Sequence, residues 1–120
     1  MRIEGPAKRI SIYVGETDTW HGAPLAHAIV QRAREMGMAG ATVLRGVEGF
    51  GAHSRLHSAR LLALSTDLPL LVEIVDRPDQ VDAFLPELDE MVREGLVTVE
   101  NVEVIHYRHC ANDRNRRANP

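Results

Sequence analysis

Two apolar stripes at helical spacing, set well apart and each flanked by strand-like runs, constrain this chain more than any other feature. Leu25, Ile29, Val30, Ala33 and Met36 form the first; Val81, Phe84, Leu85, Leu88, Met91 and Val92 form the second. Apolar residues three and four apart line one face of an amphipathic helix. Pro24 suits the first turn of the first helix, and Gly37 and Gly40 supply its stop. Asp76 before Arg77-Pro78-Asp79 predicts a side-chain cap and a first-turn proline for the second helix, which Gly95 ends.

The strands follow a period of two. Lys8–Val14 sets Ile10, Ile12 and Val14 against Arg9, Ser11 and Tyr13. Gly15–Gly22 is polar and breaks that pattern. Ala41–Val47 reads as a second strand, with Gly46 marking a bulge or a close backbone contact. Ala59–Ser65 is too short an apolar run to separate strand from short helix. Leu70–Val75 is a near-continuous apolar strand interrupted by Glu73. In Leu96–Tyr107, Val102, Val104 and His106 alternate with Glu103, Ile105 and Tyr107. Right-handed crossovers put both helices on one face of an antiparallel sheet, so the expected class is α+β, a ferredoxin-like βαββαβ sandwich. The third strand is apolar on both faces (Leu70, Leu71, Val72, Ile74, Val75), and the bare face calls for cover. That cover is either another copy of the chain, making a homo-oligomer, or the loops of a monomer.

A chain of 120 residues is one domain, and with aromatics at 4% its core must come from aliphatic side chains. No apolar run approaches the roughly 20 residues a spanning helix needs, and no signal-peptide pattern opens the chain. A lone cysteine, Cys110, cannot close an internal disulfide, which fits a cytoplasmic location. The net charge of −3 is uneven: Arg108, Arg114, Arg116 and Arg117 face only Asp113 in the last 13 residues, leaving −6 on the rest. So acidic a body argues against nucleic acid, whose phosphates require a basic face. The expected organisation is a domain over 1–107 and a disordered, polar, basic tail over 108–120.

The densest chemistry lies between Arg45 and Ser58. Gly46, Gly49 and Gly51 free the backbone to turn its N–H groups into a small concavity. With Arg45, Arg55 and His53 around it, such a nest suits a phosphate or carboxylate; the bland alternative is a glycine-rich turn leaving an edge strand. Neither the P-loop nor the dinucleotide fingerprint is present. His53 and His57, four apart, would share a helix face and make half a metal site, or be ordinary polar surface. His106, His109 and Cys110 form a second cluster of soft ligands with the same two readings. Trp20-His21 is either packing at the helix entry or a wall of a ligand pocket. No serine or cysteine nucleophile stands with a base and an orienting acid, and Glu87, Asp89, Glu90 and Glu94 fall on the solvated side of the second helix. The chain therefore reads as a binding protein and not an enzyme, with a small enzyme using His53 or His57 as general base the minority alternative.

Gly40-Ala41-Thr42-Val43 followed by Gly49-Phe50-Gly51 resembles the G-M-T-V…G-F-G stretch of PII (GlnB-like) signalling proteins. Gly49-Phe50-Gly51-Ala52-His53, His57-Ser58-Ala59-Arg60-Leu61-Leu62, Asp67-Leu68-Pro69 and Glu94-Gly95-Leu96-Val97 resemble more closely the PII-like domain-of-unknown-function family 190. The likeness spans about residues 7–107. It implies a PII-like homotrimer with small-molecule effector sites, for a nucleotide or another small anion, in clefts between subunits. It implies that Gly49, Phe50 and Gly51 contact the effector and that Thr42 lines the neighbouring wall, with His53 standing where PII proteins carry the Gln of G-F-G-R-Q. It also implies a membrane transporter as the regulated partner. Where PII proteins carry the phosphate loop T-G-x-x-G-D-G-K, this chain reads Arg93-Glu94-Gly95-Leu96-Val97-Thr98-Val99-Glu100, without the lysine or the repeated glycines. The resemblance thus points to a PII-shaped sensor without the standard PII phosphate site. The same fold also serves metal-binding proteins of the CutA type, the alternative reading.

Overall fold

The computed structural model describes residues 2–51 and 67–108. Its sheet is built around β1 (Arg2–Gly15), which pairs antiparallel on one side with β5 (Pro69–Asp76) and on the other with β6 (Leu96–Arg108). The short β4 (Thr42–Arg45) adds to β5, giving the order β4-β5-β1-β6. Helices α1 (Leu25–Glu35) and α2 (Pro78–Met91) connect these strands. This is the ferredoxin-like arrangement that the two stripes predict. A second, two-stranded sheet joins β2 (Thr19–Trp20) to β3 (Ala23–Pro24) inside the segment that reads only as a polar break. The run Ala59–Ser65, His53, His57 and the tail from His109 onward lie outside the described residues.

Register decides which side chains meet. Ile10 pairs with Ile74 and Ile12 with Val72, so alternate residues of the central strands face the helices together. Leu25, Ala26, Ile29 and Ala33 of α1 and Val81, Phe84, Leu88 and Met91 of α2 close over them in one core. Each large side chain fully removed from water contributes about 1.5–3 kcal/mol. Val30 and Met36 pack at its edge. Pro24 stands one residue before α1, and Leu25 N–H is satisfied by the Asp18 carbonyl (2.8 Å) instead of by a capping side chain. Gly37, with φ of 72°, ends the helix: its N–H donates to Arg34 O and Met38 N–H to Ala33 O, a Schellman arrangement.

Two local expectations are corrected. Asp76 is not the cap of α2; Arg77 holds that position without a side-chain bond, and Pro78 opens the helix. Asp76 is buried instead, and its carboxylate accepts from Ala39 N–H (2.9 Å) and Arg77 N–H (2.7 Å), tying the α1–β4 connection to the end of β5. In β6 the simple alternation fails at a bulge: Gly5 pairs with Val104 but Ile3 with Tyr107, so Ile105 and His106 together oppose Glu4. Tyr107, not His106, therefore shares a face with Val102 and Val104, and its hydroxyl donates to Ala39 O at 2.7 Å.

Among the described residues, the opposite face of the sheet carries no helix. Its middle is charged, where Arg9 bonds Glu100 through Nε (2.7 Å) and lies 3.8 Å from Glu73. The hydrogen bond and charge of Glu100 hold the Arg9 guanidinium above its ordinary pKa. One end is apolar, with Tyr13, Leu44 and Leu96 exposed and Leu71 half-buried between them.

Because the Asp76 carboxylate satisfies two backbone donors from a buried position, Asp76→Ala is expected to cost about 2 kcal/mol. That corresponds to a thermal midpoint lower by roughly 10 °C, measured by circular dichroism, with Asp76→Asn losing about half as much. Gly95 has φ of 151°, and a Cβ there would lie 2.7 Å from the Tyr13 carbonyl oxygen. Gly95→Ala is therefore expected to destabilise by about 1–3 kcal/mol, while Gly51→Ala, whose Cβ meets nothing within 4 Å among the described residues, leaves the midpoint unchanged in the same measurement.

Candidate functional site

The end of the sheet where β1 leaves and β5 enters is held by backbone hydrogen bonds. Glu16 N–H donates to Leu68 O (2.9 Å), and Leu68 N–H reaches the Glu16 carboxylate at 3.4 Å. Thr17 N–H donates to Asp67 Oδ1 (3.2 Å) and Gly15 N–H to Asp18 Oδ2 (2.7 Å). Two acidic side chains thereby crowd Gly15, where a Cβ would stand 2.9 Å from Asp67 Oδ1 and 3.3 Å from Asp18 Oδ2. Carboxylates that accept backbone N–H groups fix a loop as firmly as a strand pair.

The glycine-rich segment rests on this junction. Gly46 N–H donates to Pro69 O at 2.7 Å, and a Cβ on Gly46 would come within 2.8 Å of the Pro69 ring. The close backbone contact expected at Gly46 is therefore present. At Gly49 a Cβ would stand 3.1 Å from the same ring. Clamped on Pro69, the chain turns Phe50 outward, 81% exposed, between two depressions. One, of about 90 Å³, lies at the sheet end between Gly15, Gly51, Asp67 and Gly95. The other, of about 370 Å³, opens on the helix-free face between Tyr13, Leu44, Leu71 and Phe50.

Of the residues singled out by sequence, Arg45, Gly49, Phe50 and Gly51 come together here. Arg45 is engaged already, its Nε 3.1 Å from Glu16 Oε2. Thr42 stands at the far end of β4 and borders a different depression, with Tyr107, Glu73 and Val75. The positions of His53 and His57 lie outside the described residues. His106 is exposed on β6, and among the described residues no group of three His, Cys, Asp or Glu side chains could hold a metal ion. Sequence reading missed Glu16, Asp18, Asp67 and Pro69, which build the junction. Of these, only Asp67 and Pro69 are named from sequence, in the Asp67-Leu68-Pro69 run that resembles the PII-like family.

A third cleft, of about 460 Å³, lies beside the β2–β3 hairpin. Trp20 is half-buried against the core, as packing at the helix entry expects, and its side chain also lines this cleft. The imidazole of His21 stacks on the Trp20 ring, with centroids 4.1 Å apart and planes 18° from parallel. Arg93, in the turn between α2 and β6, lines the same cleft and forms no ion pair with any described residue. Among the described residues no helix is long and apolar enough to cross a membrane.

Among solved structures, CPII of Thiomonas intermedia K12 bound to ADP, AMP and acetate has a similar fold, with a TM-score of 0.59 at 14% identity, covering 88% of this chain and 92% of that one. A PII-like signalling protein of Thermus thermophilus gives 0.58 at 19% identity, over 84% of this chain and 91% of that one. CutA of Synechococcus elongatus PCC7942, complexed with Bis-Tris, gives 0.54 at 16% identity, over 94% of both chains. These likenesses establish the shared PII-like and CutA-like fold. Relatives at higher identity are a UPF0166 protein of Aquifex aeolicus, 35% identical over 99 residues (82% of this chain, 93% of the relative), and one of Methanocaldococcus jannaschii, 30% identical over 99 residues (82% and 91%). The sequence model of the DUF190 family, described as an uncharacterised ACR, matches residues 7–104. On that match and those relatives, the chain belongs to the DUF190 (UPF0166) family.

Proposed function

We propose that this protein is a PII-like regulator that binds a small anionic effector, with a nucleotide as first candidate, in clefts completed by neighbouring copies of the chain. The observation that carries this reading is the position of Phe50. Its ring is exposed at the root of a glycine-rich turn, beside an apolar depression on the helix-free face that has walls on one side only. Exposed apolar surface of this kind marks an interaction site, and a second chain packed on Tyr13, Leu44 and Leu96 would close the depression. A homotrimer is the assembly this reading requires, and a cytoplasmic regulator of a membrane transporter is the role it suggests. The fold it shares with CPII, which is bound to ADP and AMP in its solved structure, makes those nucleotides the first to try. In this reading the protein senses its ligand and does not turn it over.

Sedimentation equilibrium should give the mass of a trimer, and Tyr13→Glu combined with Leu71→Glu should shift it to monomer. Calorimetry of the trimer with ADP, AMP and inorganic phosphate should show saturable binding by a nucleotide. Gly51→Glu should weaken that binding by roughly tenfold or more without altering the thermal midpoint, because a Cβ at Gly51 meets no described residue within 4 Å. A confirmed trimer that binds none of these ligands would leave the protein only a scaffolding role.

A further inference from the structure

We propose that the cleft between the β2–β3 hairpin and the α2–β6 turn is a second binding site, for a planar ring that carries a carboxylate or phosphate. It adjoins the smaller Phe50 cleft, sharing Asp18 and Glu94 with it, and extends the functional reading beyond that cleft. Its volume of about 460 Å³ lies within the roughly 300–1,000 Å³ of small-molecule sites. The buried side chains Leu25 and Met91 give it apolar lining, and Trp20 gives it an aromatic wall. Arg93 lines the same space without an ion-pair partner among the described residues. An aromatic wall and a guanidinium in one cleft together select a ring with an anionic substituent.

The hairpin turn supplies an independent sign. Thr19 pairs with Pro24 and Trp20 with Ala23, so His21 and Gly22 alone make the turn. Both have positive φ, 48° and 82°. A two-residue turn of this kind prefers Asn-Gly, Asp-Gly or Gly-Gly. Histidine is the one residue other than glycine with positive φ among the described residues. No hydrogen bond or ion pair to a described residue offsets that conformation; the contact His21 gains is the stack on Trp20. Non-glycine residues held at positive φ cluster at functional sites. Here its product is a rigid two-ring plate at the mouth of the cleft. Asp18 also lines the cleft, with Oδ2 accepting from Gly15 N–H, and Glu94 lines it beside Arg93.

The chain has a single tryptophan, Trp20, so intrinsic tryptophan fluorescence of the full-length protein reports from a wall of this cleft. Titration with AMP and with benzoate distinguishes a nucleotide from a simple aromatic acid; adenosine lacks the charge and inorganic phosphate lacks the ring. The expected result is a saturable fluorescence change with AMP or benzoate, at roughly tenfold or more higher affinity than with adenosine or phosphate. Arg93→Gln should remove that advantage. His21→Asn, which suits the turn, should weaken binding while leaving the thermal midpoint intact, and Gly51→Glu should leave the fluorescence titration unchanged. Absence of a saturable change with both ringed anions at millimolar concentration overturns the proposal. So does a change that survives Arg93→Gln and His21→Asn, or one abolished by Gly51→Glu alone, which would move the ligand to the neighbouring cleft.

Discussion

The backbone seam between Gly15–Thr17 and Asp67–Leu68 is the constraint on which the rest of the molecule's chemistry depends. β1 is the central strand of the sheet, and where it ends its hydrogen bonds must go elsewhere. Glu16 and Thr17 N–H go to the segment entering β5, to Leu68 O and the Asp67 carboxylate, and Gly15 N–H goes to the Asp18 carboxylate just beyond the strand. This fixes Pro69, and Pro69 in turn fixes Gly46 and Gly49 by direct contact. It also fixes Asp18, whose carbonyl receives the first N–H of α1. The glycine turn, the hairpin and the start of α1 are thus referred to one frame, and all three depressions around that frame keep fixed relative shapes.

The parts legible in sequence are those governed by a repeating period. The stripes of α1 and α2 and the alternation of Ile10, Ile12 and Val14 report burial directly, because each apolar residue repeats at the spacing of its own backbone. Features set by one residue's long-range contact were not legible in that way. Asp76 looks like a helix cap, since Arg77-Pro78 follows it, yet a backbone donor from Ala39, distant in sequence, claims its carboxylate. The bulge at Ile105–His106 adds a single residue and exchanges the faces of His106 and Tyr107 beyond it. The β2–β3 hairpin is too short for alternation to register, although glycine in the second turn position was a usable signal.

The α2–β6 turn shows how this member of the fold departs from the glycine- and lysine-rich loop of PII proteins. Gly95 allows the turn to approach β1 so closely that its Cα lies against the Tyr13 carbonyl, a place no side chain could occupy. The geometry of a tight turn is kept, while the lysine that would meet a phosphate is absent from Arg93–Glu100. Arg93 is the cation this turn offers, and the cleft it lines is the one beside Trp20. The turn's chemistry has thereby moved from the glycine-rich loop toward the hairpin.

That shift gives the two regions different electrostatic costs for the same ligand charge. Arg45 is already neutralised by Glu16, and the Glu16 carboxylate also approaches Leu68 N–H. An anion that recruits Arg45 must compete with Glu16 and disturb the seam that positions the glycine turn. Binding there would be coupled to the loop conformation, the coupling that the proposed sensing role requires. Arg93 has no such counter-ion among the described residues. An anion reaching it would break no ion pair with a described residue and would meet the stacked rings of Trp20 and His21. Coupling at one region and preorganisation at the other follow from a single difference: which arginine the acidic junction has already taken.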